Sequence, residues 1–268
     1  MAEFKLPVVK VESLFLKKTA HLSKDDQAKL KRAILIKLAL HLPNYLAKMD
    51  LPKSILALYP DAFKRLVDFL KSVGDQPYDS TGEFFCKDLR FVLGLSIYNG
   101  ASSFFDVFSR VPVSSAIISF CRSRNVDAII RYVRARGSRP WVRGHLDSRF
   151  IKEYNQQVSD TTYCRLAEFV ERKKEIAGYV GTTWFFDPKV AEVSPRLAWL
   201  QDLPRERGAF FLQHGADTTD INFAMKMSES RRRLYKDGKY IPKVYSMLWP
   251  REELISWARK YRASLSHD

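Results

Sequence analysis

The second half of the chain alternates short apolar runs with helical segments, and this alternation constrains the fold more than any other feature. Three runs rich in β-branched and aromatic residues, 176–187, 209–213 and 240–249, have the length and composition of strands. Apolar residues at helical spacing separate and flank them, most clearly over 160–172. Helices that join strands pack on the faces of a shared sheet. We therefore predict a mixed sheet flanked by helices.

The N-terminal part of the chain has a different pattern, which favours helices. A good capping residue and an apolar stripe predict a helix over 23–42, and a second helix is predicted over 61–72. The stretch 74–82 is dense in turn-forming residues and is the best candidate for a domain boundary. The predicted class is α+β. A helical N-terminal region over 1–78 precedes a mixed α/β domain over 79–268.

The run that follows the boundary is ambiguous. Residues 91–97 suit a buried strand, and Asn99-Gly100 is typical of a hairpin turn, with Phe104 and Phe105 leading a return strand. A helix over 84–93 fits the same residues, so both interpretations stay open.

Net charge limits the partners that we expect. The formal charge of +15 and a pI near 9.7 favour polyanions, namely nucleic acid, a phosphate-rich cofactor or an anionic membrane surface. A solvated basic face is the alternative. The helix over 24–42 also fits a membrane-surface anchor, although core packing is favoured.

No signal peptide or long apolar run is visible, and the three cysteines and five histidines lack metal spacing. We expect a cytoplasmic protein without a transmembrane segment or a metal site.

Residues 110–149 contain nine arginines and no lysine, opposed only by Asp127 and Asp147. The planar guanidinium suits bidentate phosphate contacts and stacking on bases. Nearby aromatic residues such as Trp141 either supply stacking platforms or belong to the core. One interpretation is therefore a non-enzymatic nucleic-acid-binding protein with an arginine-rich surface. Its predicted contact residues are Arg122, Arg124, Arg131, Arg134, Arg136, Arg139 and Arg143, together with 231–233.

The end of the chain carries a resemblance to a known family. Residues 228–240, SESRRRLYKDGKY, are similar to the pattern Asn-x-x-Ala-x-x-Leu-Tyr-x-x-x-Gly-Phe of the Gcn5-related N-acetyltransferase superfamily, which a strand follows. By this resemblance 176–187 is the central strand that splays from its neighbour, and 209–213 is that neighbour. The family's glycine-containing pyrophosphate signature is missing, because the loop 188–195 has no glycine pair.

The resemblance implies an acyl-CoA N-acyltransferase-like fold and the transfer of an acyl group from a coenzyme A-type donor to an amine. Tyr235 would protonate the leaving thiolate, and the splayed strands would offer backbone donors to the acyl carbonyl. His214 and Asp217 are the candidate bases. Positive charge around such a site favours an anionic acceptor. The residues that would meet the donor phosphates are Arg196, Arg231 and Arg232.

Overall fold

A computed structural model of the chain describes residues 14–15, 17–72, 78, 84–226 and 228–265. The chain forms two compact units, Met1–Gly100 and Ala101–Asp268. The predicted domain boundary falls in a stretch of which only Tyr78 is described, so that boundary stays a prediction. The α+β class is confirmed.

The first unit is mainly helical. Its elements are α1 (Lys24–Ala39), α2 (Leu42–Leu46), α3 (Lys53–Leu56), α4 (Tyr59–Ser72), α5 (Phe85–Val92) and β1 (Ser96–Gly100). Ser23 caps α1, because its Oγ accepts the Asp26 N–H at 3.1 Å. The buried face of α1 carries Ala28, Lys31 and Leu35 and is therefore rotated from the predicted stripe.

The ambiguous run 91–97 divides between two elements. Phe91 and Val92 end helix α5, and only residues from Ser96 onward form a strand. Gly94 has a φ of +67°, a left-handed conformation that stops the helix and reverses the chain. The strand interpretation was therefore wrong for the first part of the run, where the helix interpretation holds.

The second unit alternates strands with helices, as predicted. Its elements are β2 (Ser103–Arg110), α6 (Val113–Ser123), α7 (Val126–Arg134), β3 (Pro140–Leu146), α8 (Gln156–Arg172), β4 (Gly178–Thr183), α9 (Lys189–Val193), α10 (Trp199–Glu206), β5 (Phe210–Gln213), α11 (Thr218–Lys226), α12 (Glu229–Lys236), β6 (Tyr245–Pro250) and α13 (Arg251–Leu265). Among these described elements, none is a helix long and apolar enough to cross a membrane.

Five strands of this unit form a mixed sheet in the order β2-β3-β4-β6-β5. The strands β3 and β4 are parallel and are joined through α8, whereas the other three pairs are antiparallel. The resemblance predicts that β5 is the neighbour of β4. In the structure β6 lies between them, because the chain returns through α11 and α12 and inserts its last strand there.

Both faces of this sheet are covered. Helices α6 and α7 pack on one face, where Trp141, Val180 and Leu212 belong to a single buried cluster. Helices α8 and α13 cover the opposite face with aromatic contacts, among them Tyr163 against Trp249 at 5.1 Å between ring centroids. Successive residues of a strand point to opposite faces, so each strand contributes to both layers.

The arginine triplet 231–233 lies on its own helix. The sequence suggested one helix capped by Asp220, but there are two. Asp217 Oδ1 accepts the Asp220 N–H at 2.8 Å and caps α11, while Ser228 Oγ accepts the Arg231 N–H at 3.3 Å and caps α12. Each polar cap satisfies a free N–H of a first turn.

Candidate functional site

The parallel strands β3 and β4 pair at their beginnings and then separate. Their register ends at Arg143 and Val180, three residues before either strand ends. The outer pairings with β2 and β6 continue to the last residue of each strand. The carboxyl ends therefore form a fork, made of residues 144–146 and 181–183. Backbone groups on its inner sides are not paired in the register of β3 with β4.

One face of the sheet carries a chain of hydrogen-bonded side chains at this fork. His214 Nε2 lies 2.9 Å from Ser246 Oγ, and Ser246 Oγ lies 2.7 Å from Thr182 Oγ1. Arg143 Nη1 donates to the same Thr182 oxygen at 3.2 Å. This polar network links the ends of β5, β6, β4 and β3. Thr182 is exposed, so the network reaches solvent.

The polar network is basic in character. Burial lowers the pKa of His214 below its ordinary value of 6.5, and the charges of Arg143 and Arg122 lower it further. Burial also lowers the pKa of Arg143, against the opposing effect of nearby Asp106. Asp106 Oδ2 lies 2.7 Å from His145 Nε2 on the same face. An imidazole kept neutral near pH 7 is able to accept a proton from a substrate.

On the opposite face a tyrosine cluster closes the fork. The Tyr179 phenol lies against Gly144, where an added Cβ would come within 2.1 Å of Tyr179 Oη. Tyr163 packs edge-on against Tyr179 at 5.5 Å between ring centroids, and Tyr154 Oη lies 3.0 Å from Ser159 Oγ. Burial raises the pKa of Tyr179, so its hydroxyl stays protonated at neutral pH and is able to donate.

The three predicted catalytic residues lie in different settings. His214 belongs to the polar network at the fork. Asp217 is exposed and caps α11. Tyr235 lies in the last turn of α12 with 39 % of its surface exposed. Of the three, His214 is the one that the hydrogen bonds described above connect to the fork.

Arg231, predicted to meet donor phosphates, is buried. Its Nε donates to the Ala224 carbonyl at 2.7 Å, and its Nη1 donates to Ser194 Oγ at 2.9 Å. The guanidinium stacks over Trp184 at 4.6 Å from the ring centroid. These contacts give Arg231 a structural role, because they fix α12 to the elements around it.

Arg196 and Arg232, the other two predicted phosphate contacts, are exposed. Arg232 Nη1 donates to the Met225 carbonyl at 3.0 Å, and the side chain lines a surface cavity of about 380 Å³ beside α11. The charge of Arg196 contributes to lowering the pKa of Arg231 after the larger effect of burial. Both side chains are accessible to an anion.

The arginines of residues 122–143 divide by exposure. Arg131 donates to the Gly208 carbonyl at 2.6 Å and packs over Phe210, and Arg143 belongs to the polar network. Trp141 is fully buried, so the core interpretation of this aromatic residue is correct. The exposed members are Arg122, Arg124, Arg134, Arg136 and Arg139.

Three residues of the site were not singled out from the sequence: Tyr179, Thr182 and Ser246. They belong to no motif, and strand pairing alone brings the two hydroxyl residues together across 64 positions. One available signal was glycine inside a strand, at positions 144 and 181, which marks a close approach to the backbone.

Within the part of the chain that the structure describes, no group of three His, Cys, Asp or Glu residues is arranged to hold a metal ion.

No protein-family model, curated protein or solved structure matches the chain. The structure itself defines a class, an α+β protein whose mixed sheet opens between two parallel strands. Its function is inferred below from the chemistry at that opening.

Proposed function

We propose that the protein transfers an acyl group from a coenzyme A-type thioester to an amine at the fork between β3 and β4. The observation that carries the proposal is the fork itself, because the backbone groups of the two strands are not paired with each other beyond Arg143 and Val180. Pre-oriented N–H groups stabilise the oxyanion that forms when an amine attacks a thioester. Ligands of open sheets commonly bind at the carboxyl ends of parallel strands.

The groups on the two faces of the sheet supply the proton transfers. The amine nitrogen attacks the thioester carbonyl, and its proton passes to neutral His214, directly or through Ser246. The carbon–sulfur bond then breaks, and the leaving thiolate takes the Tyr179 proton. We favour Tyr179 over Tyr235 as the acid because the Tyr179 hydroxyl lies at the fork. Tyr163 packs against the Tyr179 ring and holds it in place.

The connection that leaves the fork offers positive charge to the donor phosphates. The chain leaves the fork through residues 147–155 and enters α8, whose N-terminal end carries partial positive charge. Lys152 is exposed in this connection. Arg196 and Arg232, which the resemblance assigns to the phosphates, are also accessible. Positive charge around the site favours an acceptor that carries a negatively charged group in addition to its amine.

The first test is a thermal-shift titration with acetyl-CoA, a long-chain acyl-CoA and coenzyme A at moderate salt. A ligand that binds only the folded state at 100 times its Kd stabilises it by about 2.7 kcal/mol. We expect at least one thioester to raise the melting temperature. If none does so at moderate salt, the proposal is overturned.

The second test separates binding from chemistry. Tyr179→Phe removes the proton donor but keeps the ring, so thiol release from the thioester in the presence of amines should fall by roughly 10² to 10⁴-fold while the thioester Kd is retained. Tyr235→Phe is the matched control, and it should leave turnover near the wild-type rate. If Tyr235→Phe lowered thiol release and Tyr179→Phe did not, Tyr235 would be the acid.

A further inference from the structure

Helices α6 and α7 carry large apolar residues on their outer sides. Six aliphatic side chains there are between 44 % and 67 % exposed. On α7 they follow the helical repeat, so they form one stripe along the helix. We call these six residues the outer helical surface: Val113, Ile117, Ile118, Val126, Ile130 and Val133.

The two helices present this surface in the same direction. Their inward residues Ala116, Ala128 and Tyr132 belong to one buried cluster that includes Trp141 and Leu212 of the sheet. Both helices therefore cover the same face of the sheet, and their outer sides point away from it. The six aliphatic residues are therefore exposed on the outer sides of two helices that cover the same face of the sheet.

The segment that carries the outer helical surface is rich in arginine. Residues 111–139 contain six arginines and a single acidic residue, Asp127. Five of these arginines are exposed, and Arg131 is the one engaged in packing. Arginine side chains can extend their charge away from an apolar surface while their stems contact it. This combination of exposed aliphatic side chains and exposed arginines in one segment matches the chemistry of an anionic lipid surface.

We propose that the outer helical surface binds the surface of an anionic lipid bilayer. The aliphatic residues enter the boundary between headgroups and acyl chains, and the arginines contact lipid phosphates. The exposed aliphatic residues decide between this partner and nucleic acid, because valine and isoleucine neither stack on bases nor hydrogen-bond to phosphates. This proposal does not depend on the acyl-transfer function.

The test is vesicle flotation with the full chain. Vesicles of phosphatidylcholine alone are compared with vesicles that also contain phosphatidylglycerol, at low and moderate salt. We expect binding to the anionic vesicles that weakens with salt. Ile117→Asp combined with Ile130→Asp should weaken it by about tenfold or more. Ile241→Asp, a change at another exposed isoleucine, should leave it unchanged.

Charge reversal provides an independent arm of the test. Arg134→Glu with Arg136→Glu should reduce the partition coefficient by about fivefold per residue. Arg233→Glu with Lys236→Glu, on exposed positions of α12, is the matched control and should change it little. Thermal unfolding of each variant verifies that its fold is retained.

Three outcomes would overturn the proposal. The first is unchanged vesicle binding by the double aspartate variant while it remains folded. The second is loss of vesicle binding on Ile36→Asp alone, which would assign binding to α1. The third is binding of a short DNA duplex, but not of vesicles, by both the wild type and the double aspartate variant, which would assign the arginines to nucleic acid.

Discussion

Arg231 illustrates how burial changes the role of a charged residue. In the sequence it is one of three consecutive arginines that all suit phosphate binding. In the structure it is 3 % exposed, and its guanidinium is held by the Ala224 carbonyl, Ser194 Oγ and the Trp184 ring. A buried cation needs such partners, because burying an unpaired charge has a large desolvation cost in free energy.

Replacing Arg231 should destabilise the protein. Arg231→Met keeps a long side chain of similar helix propensity but leaves two buried acceptors without their donor. We expect the free energy of unfolding to fall by about 2–3 kcal/mol in urea denaturation. Arg233→Met, at an exposed position of the same helix, should change it by less than about 0.5 kcal/mol. Equal effects of the two substitutions would contradict the structural role.

His214 should give the folded protein a recognisable pH dependence. Its pKa lies below 6.5 in the folded state, chiefly because of burial. As the pH falls through 6.5, the unfolded chain gains a proton that the folded chain does not bind, so the free energy of unfolding decreases. The stabilising contribution is therefore present above that pH and is lost below it.

The measurement is urea denaturation at several pH values between about 7 and 5. His214→Gln keeps a polar side chain beside Ser246 but does not titrate, so we expect a shallower decline of stability with falling pH. His41→Gln, at an exposed position, should leave the decline unchanged. A decline that is identical in wild type and His214→Gln would rule out this histidine as its source.

At the scale of elements, the two glycines at the fork differ in how much space a side chain would have. An added Cβ at Gly144 would lie 2.1 Å from Tyr179 Oη and 2.6 Å from the ring, whereas at Gly181 the nearest atom, on the Phe186 ring, is 3.3 Å away. Gly144 therefore leaves the space that the Tyr179 phenol occupies. Gly181 has only a tight contact that a small ring movement relieves.

Gly144→Ala should thus displace Tyr179 from the fork. We expect a destabilisation of about 1–3 kcal/mol by thermal or urea unfolding, as is typical of overpacking. Turnover should also fall if Tyr179 is the acid. Gly181→Ala is the matched control and should cost clearly less in both measurements. A larger loss for Gly181→Ala would contradict the described packing.

Local sequence signals predicted most elements of the second unit. The apolar runs 176–187 and 209–213 contain β4 and β5, the run 240–249 contains all of β6 except its last residue, and the predicted helix over 160–172 lies within α8. These signals succeed because strand and helix periodicities are properties of neighbouring residues. The run 91–97 was harder to interpret, since a short apolar segment has the same composition in a buried strand and in a buried helix.

At the scale of the whole molecule, the charge and the division into units have different sources. The net charge of +15 follows from composition, and it makes anionic partners a reasonable expectation for both proposals. The division into two compact units is decided by contacts within each unit, and it falls after Gly100 in the chain. Turn-forming residues indicate where a chain can bend. They do not indicate which unit a later element packs against.

The sequence by itself determined the α+β class, the cap at Ser23, and the alternation of strands and helices. Each of these depends on residues a few positions apart. Only the tertiary structure decided that β6 lies between β4 and β5, and that His214, Ser246 and Thr182 form one network. Strand order is set by how the whole chain buries its apolar faces. For this reason the site could be assembled only after the fold was known.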